Sequence, residues 1–244
     1  MRVLVTGLDG FTGRYVQAEL ESAGHEVIEF TGDLRNPAEV DAQVTRANPE
    51  AVVHLAAIAF VAHDDVKDIY DVNLLGTRNL LQSLARHAPG LSAVLLASSA
   101  NVYGNQHSGL IDETCLPAPA NDYAVSKLAM EHMARLWQDR LPLFVARPFN
   151  YTGVGQEESF VIPQIVAHFR ARKPVIELGN LDEWREYGDV RVVASIYAQL
   201  LENRPVGATL NVCSGQAYSL REVLDMCRNI SGHDIEVRQN PAFM

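Results

Sequence analysis

Val3-Leu4-Val5-Thr6-Gly7-Leu8-Asp9-Gly10-Phe11-Thr12-Gly13 begins as an apolar run and continues through three glycines spaced three apart. The run reads as a strand buried on both faces, and the residues after Gly10 as the first turn of a helix. Gly7 permits a tight turn, Gly10 lets backbone approach a ligand, and Gly13 lets the helix pack on its strand. The helix N-terminus then turns its positive dipole end toward a pyrophosphate. An ordinary strand–turn–helix shares much of this pattern, because Gly-rich turns are common. The position at residue 7, directly behind a buried strand, favours dinucleotide binding.

Outward from this stretch, short Val/Leu-rich runs alternate with amphipathic segments, the pattern of βαβ units and a parallel sheet. Strands are predicted at 26–30, 51–55, 92–97 and 142–147. Helices are predicted from the glycine loop to Ala23-Gly24, from Asn36-Pro37, near 68–87 and over 122–139. Asn36 before Pro37 is a good N-cap and first-turn pair. After Arg147-Pro148 the alternation loosens, with helices near 160–171, 190–203 and 219–230 between apolar runs at 174–178, 208–212 and 235–238. The expected fold is α/β: a Rossmann-type doubly wound parallel sheet over residues 1–150. A smaller α/β substrate-binding region over 151–244 is expected to interleave with it and to cap its site.

Charge and composition narrow the function. The 244 residues carry a formal net charge of −10. Without a basic run to neutralise phosphates, a nucleic-acid partner is excluded, while an anionic small molecule needs only a few local cations. Cys115, Cys213 and Cys227 are too scattered for a metal pattern or a disulfide framework, as expected of a reducing cytoplasm. No apolar run approaches the ~18 residues of a membrane span. The expectation is a cytoplasmic protein without membrane partner or metal.

Tyr123-Ala124-Val125-Ser126-Lys127 places a phenol and an ammonium four apart, hence on one helix face. A nearby cation favours the phenolate and brings a Tyr toward the range where it exchanges protons with a substrate. The same spacing occurs on many solvated helices, so it carries weight only in company.

That company is present. A glycine loop at the N-terminus, Ala97-Ser98-Ser99-Ala100-Asn101-Val102-Tyr103-Gly104 after an apolar strand, and the Tyr/Lys helix, in this order, resemble the short-chain dehydrogenase/reductase superfamily. The form of the loop and the Ser-Ser-x-x-Val-Tyr-Gly stretch look like its extended branch, the NAD-dependent epimerase/dehydratase family, which acts on nucleotide sugars. The resemblance implies Ser99, Tyr123 and Lys127 as catalytic residues. It implies a cofactor site at Gly7, Gly10, Phe11, Thr12, Gly13, Asp33, Leu34, Leu55, Ala56 and Ala57, with Tyr123 and Lys127 reaching it too. Asp33-Leu34 corresponds to the family's adenine-pocket pair; read alone, it is a solvated turn before Asn36. His54 reads as structural, Ser98 as turned into the fold, and Asn73 as a support of the neighbouring backbone. The cofactor is NAD or NADP, undecided, since Thr31 stands near the spot where an acidic or basic residue would settle the choice, with Glu29 one pleat earlier.

Asn150, in Arg147-Pro148-Phe149-Asn150, and Arg185, in Arg185-Glu186-Tyr187, resemble the residues that meet the diphosphate of a nucleotide-diphosphate sugar, a role that suits guanidinium. Without that role, Arg185 would form a surface ion pair with Asp182 or Glu186. Ala100 and Asn101 stand where related 4,6-dehydratases carry an acid and a base, so elimination of water is not expected. Ser159-Phe160-Val161-Ile162 and Asn211-Val212-Cys213-Ser214-Gly215-Gln216 resemble the family's GDP-6-deoxymannose reductase group. The implied activity is NAD(P)H-dependent reduction of a nucleotide-linked 4-keto-6-deoxyhexose (the GDP-4-keto-6-deoxymannose to GDP-rhamnose type) by a homodimer. A 4-epimerase that retains its NAD would use the same three catalytic residues, and a non-catalytic cofactor-binding protein is a further alternative. Relatives continue past Asn240-Pro241-Ala242-Phe243-Met244, so a trimmed sequence or a truncated substrate pocket is expected.

Overall fold

The computed structural model describes residues 1–59, 65–105 and 109–241; Ala242–Met244, the end of the chain, lie outside them. Two compact units emerge. The first comprises Met1–Phe149 with Arg191–Val212, and the second Asn150–Val190 with the segment from Cys213 onward.

In the first unit, β1 (Arg2–Thr6), β2 (Glu26–Phe30), β3 (Ala51–His54), β4 (Ala93–Ala97) and β5 (Leu143–Pro148) alternate with helices. These are α1 (Phe11–Ser22), α2 (Pro37–Ala47), α3 (Val66–Tyr70), α4 (Thr77–His87) and α5 (Asp122–Arg135). Residues 209–212 return later to the open edge beside β5. The sheet is parallel throughout, in the order 209–212, β5, β4, β3, β1, β2. β3, β4 and β5 are buried along their whole length, as strands covered on both faces must be. Thr6 pairs with His54 and His54 with Leu96, so the strands end in step along one edge. The order reverses between β1 and β3, and ligands of such sheets bind at the strand ends beside that reversal.

The helix expected near 68–87 is not one helix. α3 passes through a π-helical turn, Asp71–Gly76, into α4. Tertiary bonds cause the interruption. The Asn73 side chain accepts from Ile58 N at 2.8 Å, and Thr77 Oγ1 lies 2.8 Å from His54 Nε2. α5 also stops short of 139, because Leu136 and Trp137 bond three residues back and tighten the end into turns. The Asn36 side chain accepts from Ala38 N and caps α2, with Pro37 in its first turn.

The second unit begins with β6 (Tyr151–Thr152), α6 (Val161–Arg170), β7 (Val175–Leu178), β8 (Trp184–Arg185) and β9 (Gly188–Asp189). α7 (Val190–Asn203) and β10 (Thr209–Val212) carry the chain through the first unit. β11 (Tyr218–Ser219), α8 (Leu220–Ser231) and β12 (Glu236–Gln239) complete the second. Its core gathers Ile165, Phe169, Ile176, Leu178, Leu224 and Ile235 between α6, α8 and the parallel pair β7–β12. α8 starts with a reciprocal Ser219/Glu222 capping box and ends at Gly232 in the left-handed region. No helix of the described residues is long and apolar enough to cross a membrane.

Candidate active site

The glycine loop leaves β1 at the strand-order reversal. Gly7 has φ +72°, and a Cβ there would stand 2.9 Å from the Ala56 backbone. A Cβ on Gly13 would lie 2.3 Å from the Gly7 carbonyl oxygen, so this glycine is what lets α1 sit against the loop. Gly10 differs: its Cβ would meet only the Gly7 carbonyl oxygen, at 3.3 Å. It caps α1 with extended backbone and no side-chain hydrogen bond. Phe11 and Thr12, half-buried, form the first turn behind it.

Leu55, Ala56 and Ala57 run out of β3 opposite this loop. Leu55 N donates to the Thr6 carbonyl at 3.2 Å, and Ala56 N to Thr6 Oγ1 at 3.1 Å. A cavity of about 390 Å³ opens beside them, lined by Gly7, Asp9, residues 29–34, Ala56 and Val72. It brings Gly7, Asp33, Leu34 and Ala56 together from separate parts of the sequence. The Asp33 carboxylate pairs with Arg35, whose hydrogen bonds hold it below the usual carboxylate range. Leu34 is buried, its carbonyl accepting from Asn79 Nδ2 at 2.9 Å. The cavity joins the glycine-lined start of α1 to the end of β2, beside the strand-order reversal where ligands of such sheets bind.

Further along the same sheet edge, β4 delivers Ser98 and Ser99, and α5 delivers Tyr123 and Lys127. Lys127 is buried, and Nζ donates to the Ala97 carbonyl at 2.8 Å while lying 6.0 Å from the Tyr123 ring centroid. Burial pushes the Lys127 ammonium down to about 8, against the opposing pull of Glu131. Tyr123 is half-buried in the first turn of α5, whose cap Asn121 accepts from Ala124 N. Ser99 Oγ accepts from Asn101 N at 3.1 Å and heads the short 3₁₀ turn Ala100–Tyr103. His54 is fully enclosed, its ring nitrogens 2.7 Å from Thr6 Oγ1 and 2.8 Å from Thr77 Oγ1. Burial and the Lys127 charge lower it to about 3, so it is neutral and structural. Asn73 Nδ2 bonds both the Ile58 carbonyl and Ser126 Oγ, tying the segment after β3 to α5.

Sequence reasoning missed the pair beneath these groups. Glu131, one turn beyond Lys127, accepts from Ser98 Oγ at 2.5 Å and from Arg147 Nε and Nη2 at 2.9 and 2.5 Å. Arg147 Nη1 donates to Tyr103 Oη at 2.9 Å, and that hydroxyl donates to Asn211 Oδ1 at 2.8 Å. Two signals were available: Glu131 continues the Tyr123/Lys127 face, and Arg147 is a lone charge in an apolar strand.

Asn150 and Arg185 belong to the second unit. Asn150 is exposed, its carbonyl accepting from Gly188 N at 2.8 Å beside the β6–β9 pair. Arg185 lies on β8 opposite Tyr218. Its ion pair is with Glu183, not with Asp182 or Glu186. Asp182 is engaged by Arg221, and Glu186 accepts from Ser214 N at 2.6 Å. The described residues contain no cluster of His, Cys, Asp and Glu arranged to hold a metal.

A parallel sheet with a glycine loop at its strand-order reversal and a Tyr/Lys helix over a Ser-bearing strand end defines a Rossmann-type short-chain dehydrogenase/reductase. More narrowly, the chain belongs to the NAD dependent epimerase/dehydratase family, whose model matches residues 3–213. It is 36% identical to the GDP-6-deoxy-D-talose 4-dehydrogenase of Aggregatibacter actinomycetemcomitans, covering 100% of this chain and 85% of that protein. It is 38% identical to the GDP-6-deoxy-D-mannose reductase of Pseudomonas aeruginosa, covering 100% and 84%. Among solved structures it resembles RMD from Pseudomonas aeruginosa complexed with NADPH, at 37% identity and a TM-score of 0.89, covering 98% of this chain and 84% of that one.

Proposed function

We propose that this protein is an NAD(P)H-dependent reductase of a nucleotide-linked 4-keto-6-deoxyhexose, of the kind that converts GDP-4-keto-6-deoxymannose to GDP-rhamnose. The observation that carries the reading is the buried Lys127 ammonium beside the Tyr123 ring, on the sheet edge that also holds Ser99 and the glycine loop. The relatives that act on GDP-linked 6-deoxyhexoses support the substrate class. When bound, a reduced nicotinamide supplies the hydride for C4 of the sugar. Tyr123 gives its phenolic proton to the C4 oxygen, Ser99 donates a hydrogen bond that orients the ketone, and Lys127 favours the phenolate left behind. Lys127 also holds the nicotinamide ribose. Gly7, Gly10, Phe11, Thr12 and Gly13 carry the pyrophosphate, and Asp33 and Leu34 the adenine, with Leu55, Ala56 and Ala57 alongside.

The first unit is the cofactor-binding part in this reading, and the second binds substrate, with Asn150 and Arg185 toward the sugar diphosphate. Ala100 and Asn101 offer a methyl group and an amide where dehydration needs an acid and a base. We take the working form to be a cytoplasmic homodimer, which the family resemblance and the three scattered free thiols support. The test is a panel of GDP-, dTDP- and UDP-linked 4-keto-6-deoxyhexoses, each with NADH and with NADPH, followed by nicotinamide absorbance. Consumption with a GDP-linked ketone supports the proposal. Consumption with none of the panel sinks it.

A further inference from the structure

Glu131 lies one turn beyond Lys127 on α5 and continues the face that carries it and Tyr123. That face grips the end of β4 at two successive residues. Lys127 Nζ donates to the Ala97 carbonyl at 2.8 Å, and Ser98 Oγ donates to Glu131 Oε1 at 2.5 Å. Ser98 N donates in turn to the Ala146 carbonyl at 2.8 Å, next to the Arg147 that holds Glu131. Ser99 follows, extended at φ −158° and ψ 146°, its Oγ accepting from Asn101 N at 3.1 Å. That bond occupies a lone pair and leaves the Ser99 O–H to donate. Ser98 and Glu131 are both buried. An apolar pair could hold α5 against β5 without the cost of burying charge. What the carboxylate adds is a charge-assisted bond of fixed direction to the Ser98 hydroxyl.

We propose that Glu131 is a positioning residue for the reaction, acting through Ser98 to fix where Ser99 stands relative to Tyr123 and Lys127. The inference rests on reading those three as the catalytic set. With Ala97 and Ser98 both tied to one helix face, the strand end and α5 move as one body. The Ser99 and Tyr123 hydroxyls, which both address the C4 oxygen, then keep one spacing. Rate is sensitive to such spacing, since a misplacement of about 1 Å can cost about 10²-fold. Ser98 and Glu131 act on the ligands only through their neighbours, so the effect belongs to kcat more than to KM.

The test uses Ser98→Ala in the full chain, which cuts the link and leaves the Glu131–Arg147 pair whole. Without any ligand, hydrogen exchange at the Asn101 amide, bonded to Ser99 Oγ, is expected to quicken at least about tenfold. With a GDP-linked 4-keto-6-deoxyhexose, kcat is expected to fall about tenfold or more, with KM and the affinities for NADH and NADPH within about twofold. Tyr103→Phe removes one hydroxyl from the far side of Arg147. It is expected to lower the unfolding midpoint as Ser98→Ala does, yet to keep kcat within about twofold. An unchanged Asn101 exchange or an unchanged kcat in Ser98→Ala overturns the inference alone. So does an equal loss of kcat in Tyr103→Phe, because turnover would then follow stability. A wild type that turns over no ketone overturns the reading of the site, and this inference with it.

Discussion

Glu131 and Arg147 form an ion pair inside the first unit, with side chains 2% and 5% exposed. Two charges can stay so deep because they bond each other twice and each has a further partner: Ser98 on one side of the carboxylate, Tyr103 on the far side of the guanidinium. Burial works against the Arg147 charge, and the bonds to Glu131 and Tyr103 more than restore it, raising its pKa. The pair joins α5, which carries Tyr123 and Lys127, to β5 and to Ser98 beside Ser99. Breaking it is expected to be costly in a way that a surface pair is not. Glu131→Gln leaves a buried guanidinium without its counter-charge, so unfolding in urea should show a loss of about 3–5 kcal/mol. The double variant Glu131→Gln/Arg147→Met should recover part of that loss. Recovery of none of it would mean that the pair is held for packing and not for charge.

Lys127 gives stability a pH signature. Its folded pKa, about 8, lies below the ordinary 10.5, because burial disfavours the ammonium. Below about 8 both folded and unfolded chains hold the proton, and the folded state bears the cost of the buried charge. Between about 8 and 10.5 the unfolded chain holds more protons than the folded one, so this residue makes stability rise with pH. Lys127→Met should be missing that rise. Parallel urea titrations of the two proteins at pH 7.5 and pH 10 check this: the difference in stability, variant minus wild type, should become less favourable to the variant at the higher pH. A difference that stays constant with pH would place the Lys127 pKa near its ordinary value.

Tyr123→Phe keeps the ring beside Lys127 and removes only the phenolic hydroxyl. Turnover should fall by roughly 10²–10⁴, the range for loss of a general acid, with dinucleotide affinity and unfolding midpoint little changed. Near-native turnover would remove Tyr123 from the acid role.

The glycine loop separates packing from binding. Gly13→Ala puts a methyl group 2.3 Å from the Gly7 carbonyl oxygen, so it should lower the melting temperature before cofactor is added. Gly10→Val meets only the Gly7 carbonyl oxygen and exchanges a fair N-cap for a poor one, at a cost of about 1 kcal/mol, yet places a branched side chain where the pyrophosphate is read to lie. Its unfolding should stay within about 1 kcal/mol of wild type while NADH binding is lost. Native affinity in Gly10→Val would take the loop out of the site.

What could be read in the sequence was local. Val3-Leu4-Val5 before Gly7, and Asn36 before Pro37, state their structure within a few residues, because turns and caps are set by near neighbours. The Tyr123/Lys127 face was legible for the same reason. The π turn at Asp71–Gly76 was not, since it depends on bonds from Asn73 to Ile58 and from Thr77 to His54. Nor was the chain of bonds from Ser98 through Glu131 and Arg147 to Tyr103 and Asn211, whose last link spans 108 residues. For Arg185, neighbours in sequence were weighed as partners, but on the short strand β8 the residue two back, Glu183, took the pair.

Ala100 and Asn101 bear on which reaction the proposed Ser99/Tyr123/Lys127 set would perform. Both sit in the 3₁₀ turn headed by Ser99, and the Asn101 backbone N–H is spent on Ser99 Oγ. Loss of water across C5 and C6 of a hexose needs a base for the C5 proton and an acid for the C6 hydroxyl. A methyl group and an amide supply neither at neutral pH, and a single phenol acting at the C4 oxygen cannot serve two further carbons in one turnover. The wild type should therefore release no water from a GDP- or dTDP-hexose, with or without NAD. With a 4-keto-6-deoxy substrate it should consume reduced nicotinamide one for one and yield a 6-deoxyhexose heavier by two hydrogens, read by absorbance and mass. A reductase ends each cycle with oxidised cofactor, whereas an epimerase or a dehydratase regenerates the form it began with. Conversion of substrate at constant nicotinamide absorbance would replace the reductase by a 4-epimerase that uses the same three residues.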